Sequence, residues 1–162
     1  MSDVSVLPGS VAVRNLFEDL LGREVTVSPG EPLSADALPT ATVAIFTDTA
    51  QQIYGVLGME LSLAANAGAA LGLLPAGAAE DSIDEKKLLP NLAENVFELC
   101  NVLTSLLNRE GGPHVKLQQV VYPGDALPPD ARAHLMALGR RTDLVVEVNR
   151  YGKGKFSLSL AP

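Results

Sequence analysis

The residues best suited to chemistry in this chain stand on one predicted helix, Pro90 to Asn108, with the sequence PNLAENVFELCNVLTSLLN. Leu92, Val96, Leu99, Cys100, Leu103, Leu106 and Leu107 recur at steps of three and four, the apolar stripe of an amphipathic helix that rests on a core. The opposite stripe reads Asn91, Glu94, Glu98, Asn101, Ser105 and Asn108, with no basic residue before Arg109. Glu98 and Asn101 stand one turn apart, so their side chains leave the helix side by side. A carboxylate there can grip a cation on a partner. A carboxamide can hold a water through one donor and one acceptor, aiming it without taking its proton. That is the task of a water-positioning residue in phosphoryl hydrolysis, where catalysis is mostly alignment and electrostatics. An amide suits the task better than a carboxylate, whose charge would repel the transferring phosphoryl group. The plain alternative is a wet helix face with no chemistry.

Other constellations are weaker. His114 and His134 fall on different predicted elements, and Cys100 is the only cysteine, so no zinc tetrad can be assembled and no metal site is expected. Cys100 lies on the apolar stripe, which makes it a small buried hydrophobe, and a single cysteine allows no intrachain disulfide. Gly152-Lys153-Gly154-Lys155 lacks the spacing of a phosphate loop and reads as a hairpin turn. No serine sits in a Gly-x-Ser-x-Gly elbow.

The composition bounds what those residues can serve. With 162 residues, 47% of them hydrophobic and 19% charged, the chain is long and apolar enough for one globular domain. We expect a tail over residues 1–9 and a single domain over 10–162. The net charge of −7 speaks against phosphate backbones and anionic membrane surfaces, and 4% aromatic residues without Trp against a base-stacking platform. No nucleic-acid or membrane partner is expected. The first thirty residues show no basic region followed by an apolar one. The longest uncharged run, Leu61 to Ala79, holds Asn66, three glycines and Pro75, and reads as a buried helix followed by a loop. A cytoplasmic location is the expectation.

The elements that must position the helix follow from pattern. Ser10 can cap a helix over Val11 to Leu21 that closes at Gly22. Glu24 to Ser28 is a short strand and Pro29 to Pro39 a loop. Thr40 to Thr47 and Gln51 to Glu60 form a hairpin, with Ile53, Leu57 and Met59 in register. Ser62 opens an Ala-rich helix that closes near Gly72, and Leu73 to Asp81 is a loop. Ser82 to Glu85 has capping-box spacing, so either one helix kinks at Pro90 or a new helix starts there. His114 to Tyr122 is a strand, and a short helix lies within Leu127 to Leu138. Asp143 to Arg150 and Lys155 to Leu160 form a last hairpin with Leu144, Val146, Val148, Phe156, Leu158 and Leu160 inward, joined by a Tyr151-Gly-Lys-Gly turn. The class is α+β: a largely antiparallel sheet of about six strands packed with two long helices. The Glu98/Asn101 pattern has no second copy, since the first helix has Glu18 but no amide three residues on.

The segment Glu94 to Asn101 resembles the signature of the CheC/CheX/FliY family of chemotaxis phosphatases: Asp or Ser, three residues, Glu, two residues, Asn. The likeness runs along the chain: a first helix ending Leu-Gly-Arg-Glu, a hairpin ending Tyr-Gly-Val-Leu-Gly-Met-Glu-Leu-Ser, then the helices and strands in the order of CheX. A single motif copy also resembles CheX. The resemblance implies a phosphatase for the aspartyl phosphate of a response-regulator receiver domain. In it Glu98 pairs with the receiver's Lys, Asn101 orients the attacking water, and Glu94 and Asn95 contact the partner. It implies no cofactor here, with Mg2+ carried by the receiver, and a homodimer formed through the sheet. The alternatives on the same fold are a catalytically inactive adaptor for a receiver or other signalling protein, and a FliY-related switch-complex subunit. Three positions depart from the family pattern: Cys100 replaces Gly, Leu103-Thr104-Ser105 replaces Ala-Gly, and Glu94 stands at the Asp/Ser position.

Overall fold

The computed structural model describes residues 7–108 and 111–161. In chain order these form α1 (Ser10–Leu21), β1 (Val25–Pro29), a 3-10 segment (Ala35–Thr40), β2 (Thr42–Thr47), β3 (Ile53–Met59), α2 (Leu61–Leu71) and α3 (Ala76–Glu85). Then come α4 (Pro90–Leu103), a 3-10 turn (Thr104–Leu106), β4 (Lys116–Val121), α5 (Pro129–Met136), β5 (Arg141–Val148) and β6 (Gly152–Leu160). The six strands form one sheet in the order β1-β5-β6-β3-β2-β4, every pairing antiparallel. The expected α+β class is the observed one.

Exchanging β1 with β4, β2 with β5 and β3 with β6 reverses that order onto itself. Each half is a helix followed by three strands, and the halves meet where Leu57 pairs with Leu158 at the centre of the β3–β6 seam. The sequence carries the same echo. Leu20-Leu21-Gly22-Arg23-Glu24 after α1 matches Leu106-Leu107-Asn108-Arg109-Glu110 after α4. At the same offset the buried Val13, Phe17 and Leu21 correspond to the buried Leu99, Leu103 and Leu107.

The alternation of the strands decides which residues face which layer. Ala44, Phe46, Leu57, Met59, Val146 and Phe156 build the main core with α1, α2 and α4, and Phe17 meets Phe156 edge to face at 6.1 Å. Val43, Ile45 and Val56 face the other way, under Leu33, Leu38, Ala131 and Leu135. With both faces covered, all six residues of β2 are buried, which is why the strand reads as a near-continuous apolar run.

Small residues let α2 lie close to the sheet. A Cβ at Gly154 would stand 2.5 Å from the backbone nitrogen of Leu63, a contact that no side-chain rotation relieves. Gly154→Ala should therefore cost about 1–3 kcal/mol, read as a lowered urea midpoint. Gly77→Ala, where nothing lies within 4 Å, is the control and should cost nothing. Equal midpoints for Gly154→Ala and the parent would show that α2 does not rest there.

Several expectations change. Leu73 to Asp81 is not all loop: α3 begins at Ala76, because Ala79 packs against Ala65 and Ala69 of α2. Ser82 is not a cap. It is buried inside α3, where its hydroxyl accepts the Leu89 N–H at 3.2 Å and ties α3 to the start of α4. Nor does Ser10 cap its helix, since Gly9 occupies the cap position, and the Ala-rich helix opens at Leu61, with Glu60 at its cap position, rather than at Ser62. Ile53 is out of register with Leu57 and Met59 because an extra residue, Tyr54, turns it to the second face. The stretch expected as loop before β2 holds the 3-10 segment. The last hairpin turns at Asn149-Arg150, with Arg150 at φ 72°, and the glycines of the expected turn lie in β6. The tail falls outside the described residues up to residue 6. From Leu7, which packs on the main core, the chain belongs to the body, and the Pro8 carbonyl accepts the Thr142 hydroxyl at 2.8 Å.

Candidate functional site

Helix α4 starts anew at Pro90, in its first turn, after an extended Leu89 (φ −62°, ψ 151°), so no single helix kinks through this region. Its inner row, Leu92, Val96, Leu99, Cys100 and Leu103, is buried. Leu92 packs with Ala65, Ala69 and Ala79, while the others enter the main core. Where α4 crosses α2, Gly68 has no side chain to hold the helices apart, and a Cβ there would be 3.0 Å from Val96. The Asn95 amide donates to the Gly68 carbonyl at 3.0 Å across the same crossing. On the other flank the Tyr122 hydroxyl donates to the Ala93 carbonyl at 3.2 Å. Past the C-terminus, the Asn108 amide donates to the Val115 carbonyl and accepts the Val115 N–H, both at 2.7 Å. The helix is a fixed platform.

Its outer row is Asn91, Glu94, Phe97, Glu98, Asn101 and Ser105, all exposed. The four asparagines of this segment divide by duty. Asn91 accepts the Leu92 N–H, Asn95 binds α2 and Asn108 clamps β4, whereas the Asn101 carboxamide makes no hydrogen bond among the described residues. The carboxylates of Glu94 and Glu98 are likewise unengaged there. Glu94, Glu98 and Asn101 thus share one open face. Asn95, expected to contact a partner, is partly buried and spends its amide inside the fold, so it is withdrawn from that face. Sequence reasoning missed Phe97, which is 47% exposed one turn before Asn101. Its signal was present: it is the one large apolar residue of the segment outside the apolar stripe.

Two departures from the family pattern fall on the inner side. Cys100 is fully buried, as are Leu103 and nearly so Thr104, whose hydroxyl turns back to the Cys100 carbonyl. Of the altered positions only Glu94 and Ser105 meet solvent. Burial pushes the Cys100 thiol from its ordinary 9.0 up to about 12. The folded protein keeps the thiol protonated while the unfolded chain ionises above 9.0, so the unfolded state binds fewer protons and stability falls between about pH 9 and 12. The slope contributed is about 1.4 kcal/mol per pH unit. Burial also raises Tyr122, with the Cys100 and Asp125 charges acting in the same direction. Urea titrations at several pH values with the parent and Cys100→Ala isolate the thiol: the variant should show the shallower decline, and parallel curves would refute the assignment.

The repeat sets α1 beside α4 as its counterpart. At the common offset Asn15 corresponds to Asn101, but Ala12 stands where α4 has Glu98. Both are exposed. Between the two helices runs an open groove of about 420 Å³, walled by Leu16 and Leu20 on one side and Val102 and Leu106 on the other.

Among the described residues no group of three His, Cys, Asp or Glu is placed to hold a metal ion, and no helix is long and apolar enough to cross a membrane. No protein-family model and no curated protein matches the chain. Solved structures do. The FliM middle domain from Vibrio alginolyticus is similar with a TM-score of 0.58 at 9% identity, over 93% of this chain and 87% of that one. The CheX-CheY-BeF3-Mg+2 complex from Borrelia burgdorferi contains a chain similar with a TM-score of 0.55 at 10% identity, over 91% and 92%. FliY of Thermotoga maritima is similar with a TM-score of 0.53 at 13% identity, over 97% and 85%. The fold is therefore the one that CheX and FliY share with the FliM middle domain, and the resemblance read from sequence holds at that level.

Proposed function

We propose that this protein is a CheX-like phosphatase that hydrolyses the aspartyl phosphate of a response-regulator receiver domain. One observation carries the reading: of the four amides on the α4 segment, Asn101 alone is without a partner among the described residues, and it stands beside a Glu98 equally unengaged there on a fixed helix. The other three spend amide groups inside the fold, whereas the Asn101 carboxamide is open to a group outside the chain. Glu98 pairs with the receiver's lysine and sets the helix against the acyl phosphate. The Asn101 carboxamide oxygen accepts a hydrogen bond from one O–H of a water and its N–H donates to one lone pair of the water oxygen, leaving the other lone pair aimed at phosphorus. The water oxygen bonds to phosphorus as the bond to the aspartyl oxygen breaks, releasing the carboxylate, inorganic phosphate and a proton. The receiver supplies its own Mg2+. Phe97 gives the contact an apolar centre beside the two polar groups, and Glu94 adds to the negative field that meets the lysine. Support also comes from the similar complex of CheX with CheY. The same reading places the protein in the cytoplasm with its receiver and pairs two copies through the sheet.

A second reading is favoured by Glu94. Its carboxylate, unpaired among the described residues, shares the open face with Asn101 and opposes the approach of a phosphoryl group, which fits an adaptor that binds a receiver without catalysis. Dephosphorylation of acetyl-phosphate-charged receivers, measured together with their binding, separates the two. Acceleration lost in Asn101→Ala establishes the phosphatase; binding of a receiver without acceleration of any establishes the adaptor.

A further inference from the structure

The second face of the sheet, opposite α4, carries a polar pocket of about 180 Å³ where β2 ends. Three irregularities converge on it. In the β2–β4 pairing Ile45 is opposite Gln119 but Phe46 is opposite Leu117, so Gln118 is an extra residue and both glutamines reach the pocket. In the β2–β3 pairing a second bulge turns Ile53 into its wall. At the hairpin turn Gln51 has φ 64°, the left-handed region that favours glycine, and it too lines the pocket. At its base is Thr47, 1% exposed, whose buried hydroxyl has no hydrogen-bond partner among the described residues. The carboxamides of Gln51, Gln118 and Gln119 are also unengaged among the described residues. Bulges and left-handed non-glycine residues recur at ligand sites because they aim side chains that a regular ladder would point elsewhere.

We propose that this pocket binds a small organic cation, an ammonium compound about the size of a short diamine. Its polar lining offers oxygen acceptors from Thr47 and three glutamines and one carboxylate, Asp130, with no Lys, Arg or His among the lining residues. One Asp130 oxygen accepts the Ala131 N–H at 2.8 Å, which leaves the other for an ammonium group. Ile45, Ile53 and Pro128 supply an apolar wall for methylenes. The volume equals about six waters at ~30 Å³ each, below the range of drug-sized ligands. The net charge of −7 raises the local concentration of cations and disfavours anions.

The test is nuclear magnetic resonance of the glutamine side-chain amides in the whole protein, titrated with 1,4-diaminobutane and with the uncharged 1,4-butanediol. The diamine should give saturable shifts at Gln118 and Gln119, with the diol at least about tenfold weaker because charge-assisted bonds are the strong ones. Asp130→Asn should reduce diamine affinity severalfold, and Thr47→Val should reduce it for both probes. Thr47→Val keeps the side-chain shape and removes an unpaired buried hydroxyl, so it should fold with an unchanged or raised Tm. Three results would overturn the proposal: no saturable shift at millimolar diamine, equal affinity for the diol, or binding indifferent to both substitutions, as for a cation held loosely by an acidic surface.

Discussion

Replacing Asn101 with alanine should lower the acceleration of receiver dephosphorylation by about a hundredfold or more while leaving the affinity for the receiver nearly unchanged. The magnitude follows from what the amide does: it forms no covalent bond and moves no proton, it fixes the direction of a water, and misplacement by about 1 Å costs on the order of 10²-fold. Asn101→Asp should be no better, since it restores the shape but brings a charge toward the phosphoryl oxygens. Glu98→Ala should behave differently and weaken the complex itself, because a carboxylate facing a lysine contributes to binding before any chemistry. The comparison is clean because Asn101 is exposed and unengaged, so its removal should shift stability by no more than about 0.5 kcal/mol. A receiver dephosphorylated at the parental rate by Asn101→Ala would end the water-positioning reading.

The largest effect on stability should come from the residue between those two. Leu99 is 0% exposed in the main core, and Leu99→Ala should cost about 2–5 kcal/mol, a transfer loss plus the cavity left where Val96, Leu103 and the sheet cannot close in. Against a typical total of about 5–15 kcal/mol this lowers the urea midpoint steeply. Glu98→Ala and Asn101→Ala should leave that midpoint almost in place. If Leu99→Ala unfolds at the parental midpoint, α4 is not seated as described.

Much of this was readable from residue spacing. The inner and outer rows of α4 were legible because a helix that rests on a core sorts its residues every three to four positions; past its end Leu106, half-buried on the groove, and Asn108, turned in to Val115, depart from the two rows. The strands β5 and β6 were legible for the same reason at a period of two. What hid α3 was composition: Ala-Gly-Ala-Ala has the look of a loop, and only the alanine face of α2 makes a helix of it. The bulges at Tyr54 and Gln118 were hidden because they depend on pairing partners far along the chain. Within the site, spacing alone could not tell Asn95 from Asn101. Both are amides on one helix, and the difference is the Gly68 carbonyl, 27 residues earlier, that occupies the first. The repeat of α1 by α4 was missed although Leu-Leu-x-Arg-Glu recurs at 20–24 and 106–110, because within the helices Val13 and Phe17 match Leu99 and Leu103 only in being apolar and buried.

That the two rows of α4 share no residue has a consequence for how such a chain changes over generations. Stability rests on the buried Leu92, Val96, Leu99, Cys100 and Leu103, and substitutions at the exposed Glu94, Glu98 or Asn101 should barely change it. Whatever the open face offers a partner is decided by the second set and not by the first. A lineage with this architecture can therefore lose its reaction, or acquire one, through a handful of surface substitutions without passing through a misfolded ancestor. Ala12 and Asn15 hold the corresponding places on α1: an amide is present, an acid is not, and the helix is seated by the buried Val13, Phe17 and Leu21.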